Sequence, residues 1–162
     1  MIAEIDYGAT EPRDFQLLDD GVAFNGSGYN VALELLQIGG LIWAPSTAYV
    51  AGELVRPTVG NGHLYQCTVS GTTDTIEPTW PLTSGTPAGT VLDGTVTWQE
   101  ITPTVAWQTQ SAGIVRVSGL DVLPRDTSYR VRYLVTDGTG KTGPFPNKNR
   151  IDVWRVAAVM AG

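Results

Sequence analysis

The sequence predicts an all-β protein in which a small module is inserted into a larger β domain. With 42% apolar residues, the 162-residue chain has enough material for a core. It also has 19 glycines and 10 prolines, and its short apolar runs are broken by turn residues, which favours short strands joined by tight turns. The stretch 41–102 holds three of the five tryptophans but only one basic residue. We therefore predict an outer domain built from 1–40 and 103–162, and an inserted β-module at 41–102.

The N-terminal part of the outer domain begins with an acidic, irregular stretch at 1–14. We interpret it as a flexible arm or as a segment that orders against a neighbouring subunit. From Tyr29 to Leu35, large apolar residues alternate with small or polar ones, which is the period of a half-buried strand. A helix over 31–38 is the alternative, although it lacks capping residues. Shorter strands are predicted at 15–18 and 22–24.

The C-terminal part of the outer domain contains the clearest strand, Ser128–Val135, with tyrosines and valines on one face and two arginines on the other. Asp137–Gly140 is a strong hairpin signal. Pro144 and Pro146 follow, and they predict a loop or an edge strand because proline cannot donate to a ladder. Further strands are predicted at 105–107, 114–117 and 151–156.

The charge of the chain limits its partners. A net charge of −6 and an isoelectric point of about 4.6 argue against nucleic acid and against an anionic membrane surface. Residues 1–40 carry a net −6, the insert −4 and residues 103–162 a net +4. We expect strand pairing between the oppositely charged outer pieces. Because the N-terminus lacks a secretory pattern and no apolar run approaches roughly 20 residues, we expect synthesis in a cytosol.

Residues that could support catalysis are few. His63 is the only histidine, and on a strand Cys67 would lie roughly 13 Å from it, too far for proton transfer. The same pair is too small a set for a zinc site. Asp74, Glu77 and Asp93 could supply a glycosidase carboxylate pair, but they stand in turn-like contexts. We therefore interpret His63 as a turn histidine and predict a non-enzymatic protein with no catalytic residue, metal or cofactor.

The aromatic residues of the insert give a better hypothesis. Exposed Trp and Tyr faces are the usual platform for sugar rings, because C–H groups pack on the π surface. The alternative for each ring is that a module of about 60 residues needs it as core. The candidate carbohydrate-binding residues are Trp43, Tyr49, Tyr65, Trp80 and Trp98.

Two motifs in the insert are specific: Glu77-Pro-Thr-Trp80-Pro81 and Asp93-Gly-Thr-Val-Thr-Trp98. Together with Trp43, they make the insert resemble the small chitin-binding-type carbohydrate-binding modules that recur in phage tail proteins. The resemblance implies a sugar-binding β-module. The segment between Tyr65 and Trp98 is longer here than in that pattern.

The outer pieces resemble the N-terminal immunoglobulin-like domain of phage upper baseplate proteins. This resemblance implies an immunoglobulin-like β-sandwich that docks on the particle and carries the insert. The matching stretches are Asp20-Gly21, Gly28–Val31, Gly113–Val115, Ser128–Tyr133, Asp137–Lys141 and Pro146.

Together the resemblances imply a non-enzymatic structural protein of a tailed-phage virion, in the tail, the baseplate or the fibre attachment region. The expected partners are other virion proteins, further copies of the chain and, through the insert, a host-surface glycan. Neither nucleic acid nor membrane is expected. One alternative is a carbohydrate-binding module whose main task is adsorption. Another is a head decoration or head–tail connector protein.

Overall fold

The computed structural model describes residues 2–6, 12–19, 22–37, 40–82, 89–120, 123, 127–145 and 152–157. Over these residues the protein is all-β, as predicted, with one 3₁₀ turn at Gln110–Ala112. The strands are β1 (Ile2–Asp6), β2 (Arg13–Gln16), β3 (Leu18–Asp19), β4 (Val22–Ala23), β5 (Asn30–Gln37), β6 (Leu41–Ile42), β7 (Ala48–Tyr49), β8 (Leu54–Arg56), β9 (Tyr65–Val69), β10 (Gly71–Thr72), β11 (Thr90–Asp93), β12 (Val96–Glu100), β13 (Thr104–Thr109), β14 (Ile114–Ser118), β15 (Thr127–Thr136), β16 (Thr142–Phe145) and β17 (Asp152–Ala157).

The chain forms two compact units. The first unit comprises Met1–Glu34 and Pro103–Gly162, and the second unit comprises Leu35–Thr102. The predicted insert, 41–102, lies within the second unit, which begins six residues earlier.

The first unit contains two larger sheets and a short ribbon. One sheet has the order β1-β17-β15-β16, with β5 also paired to β15, and the other has the order β13-β14-β2. Strands β3 and β4 form the ribbon. Two separate sheets fit a β-sandwich, whereas the immunoglobulin-like topology remains a prediction.

The period-2 patterns of the sequence match the burial of the strands. Along β15, Tyr129, Val131 and Tyr133 are buried while Arg130 and Arg132 are exposed. β5 is a strand over Asn30–Gln37, so the helix alternative for 31–38 was wrong. Alternation places one side of each strand in the core and the other in water, which a helical period of 3.6 would not do.

The N-terminal segment is not a free arm over the residues that the structure describes. Ile2–Asp6 pairs in parallel with β17, so the backbone groups that face β17 are held in the sheet. Pro144 lies in β16, the last strand of its sheet, as expected for a proline on an edge. Pro146, the Asp20-Gly21 turn and most of the 120–126 loop lie outside the described residues.

Oppositely charged residues from the two outer pieces meet across paired strands, as the charge distribution predicted. Nε and Nη2 of Arg116 on β14 donate to both carboxylate oxygens of Asp14 on β2, at 2.7 and 2.9 Å. On β15, Arg132 donates to Glu34 on β5 at 2.6 Å.

A five-stranded sheet, β11-β12-β9-β8-β6, dominates the second unit, and a ribbon of β7 and β10 accompanies it. The β11–β12 hairpin turns at Gly94, whose φ of 60° suits the first central position of a type II′ turn. No helix among the described residues is long and apolar enough to cross a membrane.

Candidate functional site

Four of the five candidate sugar-binding rings lie in the core of the second unit. Trp43, Tyr49, Tyr65 and Trp98 are all buried, and they pack with Val55, Cys67 and Val96. A sugar ring needs an exposed aromatic face to stack on. Burial leaves these four rings without such a face, so their expected role as a carbohydrate platform gains no support from the structure. The small module uses them as core, which was the alternative for each ring.

Asp93 explains how two of these indoles are buried with their N–H groups satisfied. Its Oδ2 accepts from Nε1 of Trp43 at 2.7 Å and from Nε1 of Trp98 at 3.0 Å. Its Oδ1 accepts from the backbone N–H of Asp74 at 2.8 Å. A buried carboxylate is tolerated where hydrogen bonds compensate its lost hydration. This role of Asp93 was not predicted from the sequence, where its turn-like context before Gly94 gives no sign of the two tryptophan partners.

Trp80 is the fifth candidate, and it is half-buried. Its ring packs on Tyr65, with centroids 4.4 Å apart at 38°, and lies 6.0 Å from the ring of Trp98. Its Nε1 donates to Oε1 of Glu77 at 2.9 Å. The ring is therefore fixed at the border between core and solvent.

Glu77 is held by three hydrogen-bond donors. Besides the Trp80 indole, both the backbone N–H of Thr58, at 2.9 Å, and the Thr58 hydroxyl donate to its carboxylate. Burial by itself would raise the pKa of Glu77, but the hydrogen bonds from Thr58 and Trp80 outweigh it and lower the pKa. Glu77 is consequently ionised at neutral pH.

The two most exposed large apolar side chains of the described residues belong to the sequence neighbours of Thr58 and Glu77. Val59 follows Thr58 and is 84% exposed, and Ile76 precedes Glu77 and is 78% exposed. We call the set of Thr58, Val59, Ile76, Glu77 and Trp80 the Trp80 surface. It combines a fixed anion, a half-buried indole and two aliphatic side chains.

A second arrangement that sequence reasoning missed joins His63 to Glu100. Nδ1 of His63 contacts Oε1 of Glu100, whose side chain is fully buried. The other oxygen of Glu100 has no hydrogen-bond partner among the described residues. The register explains the contact, because Glu100 on β12 lies opposite Tyr65 on β9, two residues beyond His63. Neither the residue types nor their spacing in the sequence predicts a contact between His63 and Glu100, which are 37 residues apart.

The local context of His63 matches the predicted turn. Its backbone N–H donates to Oδ1 of Asn61 at 3.0 Å, while Nδ2 of Asn61 donates to the Tyr65 hydroxyl, also at 3.0 Å. That hydroxyl in turn donates to the carbonyl of Pro81 at 2.7 Å. Burial raises the pKa of Tyr65 to about 12, so the phenol keeps the proton that it donates.

Cys67 is a core residue. Its thiol is buried and donates to the carbonyl of Val69 at 3.3 Å. Burial raises the pKa of Cys67 above its usual value, which disfavours the reactive thiolate. Among the described residues, no group of three or more His, Cys, Asp and Glu side chains could hold a metal ion.

Comparisons with known proteins identify no relative. No protein-family model, curated protein or solved structure matches the chain.

Proposed function

We propose that the chain is a non-enzymatic structural protein of a tailed-phage virion, and that its second unit contacts a neighbouring protein. The observation that carries the proposal is the identity of the exposed apolar side chains in that unit. They are aliphatic, whereas the aromatic rings are buried or half-buried. The exposed aliphatic residues are Leu41, Ile42, Val50, Val59, Val69, Ile76, Leu82 and Leu92.

The distinction between aliphatic and aromatic surface separates two classes of partner. Sugar rings are bound on the π faces of Trp and Tyr. Aliphatic side chains exposed to water gain most from packing against the apolar part of another protein surface. Val59 and Ile76 are next in sequence to Thr58 and Glu77, which are joined by hydrogen bonds, and both aliphatic side chains are exposed. This composition favours a protein neighbour over a glycan.

The assignment to a phage particle rests on the sequence resemblances of the insert and of the outer pieces. Two observations are compatible with it. The two sheets of the first unit fit a sandwich that could dock on a particle, and β16 lies at the edge of its sheet, where a neighbour could add a strand. Further copies of the chain and other virion proteins are the partners that this role requires.

A second candidate function is adsorption to a host-surface carbohydrate. Trp80 favours it, because this ring alone among the five candidates is only half-buried. A role as head decoration or head–tail connector is a third possibility, and it differs from the first only in position on the particle.

Mass spectrometry and immunogold microscopy of purified particles test the proposal. The particles should be purified from a lysate of the phage whose genome encodes this chain. We expect peptides of the chain at a fixed ratio to tail proteins, and gold label on the tail. Label on the head would select the decoration or connector role. Particles that lack the chain would overturn the proposal.

A glycan array tests the adsorption alternative. Purified wild-type chain and a Trp80→Ala variant should be compared after circular dichroism has shown that both are folded. We expect no specific glycan binding by the wild type. Binding that the variant loses would instead identify an adsorption module.

A further inference from the structure

We propose that the Trp80 surface is a receptor for one basic side chain, a lysine or an arginine, of a neighbouring protein. The cationic group would sit against the Glu77 carboxylate and the Trp80 indole, with its apolar stem and flanking residues on Val59 and Ile76. The inference rests on the proposed function, since it names the chemistry of the protein partner.

Glu77 is a preorganised anion with spare acceptor capacity. An ionised carboxylate offers about four lone-pair sites, and three donors from Thr58 and Trp80 occupy three of them. The side chain is thus fixed in place before a partner arrives, which lowers the entropic cost of binding. No Lys, Arg or His side chain within the described part of the chain forms an ion pair with Glu77.

Trp80 supplies a π surface beside this anion. Its hydrogen bond to Glu77 and its packing on Tyr65 fix the ring. A cation near the face of an indole is attracted by the ring quadrupole, and the attraction grows as the cation loses water. An anion and an indole held side by side suit a cationic group better than a neutral or anionic one.

The charge and polarity of the surroundings also suit a basic side chain. The stretch 41–102 has five acidic residues and one basic residue, so its field attracts a basic partner. Lys and Arg side chains carry apolar stems that pack on aliphatic groups while the charged head reaches a polar site. Val59 and Ile76, next in sequence to Thr58 and Glu77, are exposed aliphatic groups of this kind.

Nuclear magnetic resonance of the ¹⁵N-labelled full chain can test the site with n-butylguanidinium chloride as the probe. The indole signal of Trp80 is assigned by its loss in Trp80→Phe, and ionic strength is held constant with sodium chloride. We expect a saturable shift of this signal in the millimolar range. In Glu77→Gln, which keeps an acceptor for Thr58 and Trp80 but removes the charge, binding should weaken about tenfold, a loss of about 1.4 kcal/mol.

Asp74→Asn is the matched control. It removes another acidic charge of the same unit, on a residue whose side chain caps Thr75 in an exposed turn, and binding should stay within about twofold of the wild type. A shift of equal affinity in Glu77→Gln, or no saturable shift in folded wild-type protein, overturns the inference. So does a shift with chitotriose that Glu77→Gln retains, because it would assign the surface to sugar.

The two proposals can fail separately. If the chain is absent from the particles, the structural role is overturned, whereas binding of the cationic probe at Trp80 would still be a valid result. Presence in particles without probe binding at Trp80 would overturn the cation site alone.

Discussion

The indole nitrogen of Trp43 donates to Oδ2 of Asp93 at 2.7 Å, and the same oxygen accepts from Trp98 at 3.0 Å. The two tryptophans therefore share one buried acceptor, which turns their polar edges inward. A ring held in this way belongs to the core. The two hydrogen bonds to Asp93 therefore explain why Trp43 and Trp98, both candidate sugar-binding residues, are buried.

Replacing Asp93 with Asn should destabilise the second unit. Asparagine has one carbonyl oxygen in place of two carboxylate oxygens. At least one of the three N–H groups that donate to Asp93 would therefore lose its acceptor. A buried unsatisfied donor costs about 1–3 kcal/mol. Urea unfolding followed by tryptophan fluorescence measures the change.

The control is Asp74→Asn, at an exposed turn carboxylate, which should alter stability by less than about 0.5 kcal/mol. Equal losses in the two variants would contradict the role of Asp93. If Asp93→Asn does not fold, Trp43→Phe removes one of the donors and part of a buried ring, and it should also lower the stability of the second unit.

Removing His63 should destabilise the protein, because Glu100 would keep its burial and lose the contact at Oε1. Breaking a buried pair on one side costs about 3 kcal/mol, whereas removing both partners is often close to neutral. We therefore expect His63→Ala to be more harmful than His63→Ala combined with Glu100→Met. A double-mutant cycle in urea at pH 7 measures the coupling, and simply additive losses would show that the pair is not coupled.

The stability contributed by Glu77 should depend on pH. Hydrogen bonds lower its folded pKa below the usual value, so its contribution is complete above the unfolded pKa of about 4.3. It is lost as the pH falls through the folded pKa. The difference in unfolding free energy between wild type and Glu77→Gln should therefore shrink as the pH falls below about 5.

Urea titrations of both proteins at several pH values give this difference directly. Subtracting the variant removes the titration of the other carboxylates, including Asp14 and Asp137, whose pKa values are also lowered by hydrogen bonds. A difference that stays constant over the whole range would falsify the assignment.

Alanine at Gly113 should be far more harmful than alanine at Gly138. Gly113 has a φ of 67°, and a Cβ there would lie 2.3 Å from the carbonyl oxygen of Phe24. A Cβ at Gly138 meets nothing within 4 Å. We expect a loss of about 2 kcal/mol or more at Gly113 and a change within about 0.5 kcal/mol at Gly138. Equal melting temperatures for the Gly113→Ala and Gly138→Ala variants would contradict the prediction, because they would show that the backbone at Gly113 can move to accommodate a Cβ.

Reversing the charge of Asp14 or of Arg116 alone should lower stability, and reversing both should restore part of it. The side chains form a two-bond pair across β2 and β14, and single reversal places like charges opposite each other. Thermal melts at low and high salt test the idea, since screening should diminish both effects. A double reversal as unstable as the worse single variant would contradict it.

Several features could be predicted correctly from the sequence, because they depend only on residues that are close together along the chain. The alternation along β15 and the Asp137–Gly140 hairpin are local patterns. Asp137 caps its own turn by accepting from the backbone N–H groups of Thr139 and Lys141, and Gly140 takes the left-handed conformation. The charge difference between the outer pieces also indicated that they pair, because it is a property of composition.

The sequence by itself determined that this chain is all-β, where most of its strands and turns fall, and that its outer pieces attract each other. Only the tertiary structure decided which rings are exposed and which acids are buried. Tryptophan is as suitable for a core as for a binding face, and the register of β9, β11 and β12 selects between these roles. The register of β9 and β12 brings Glu100 to His63, across 37 residues. The fold also brings Asp93, at the end of β11, to Trp43, which follows β6 and lies 50 residues away. Such contacts arise from the pairing of distant strands, so no local pattern encodes them.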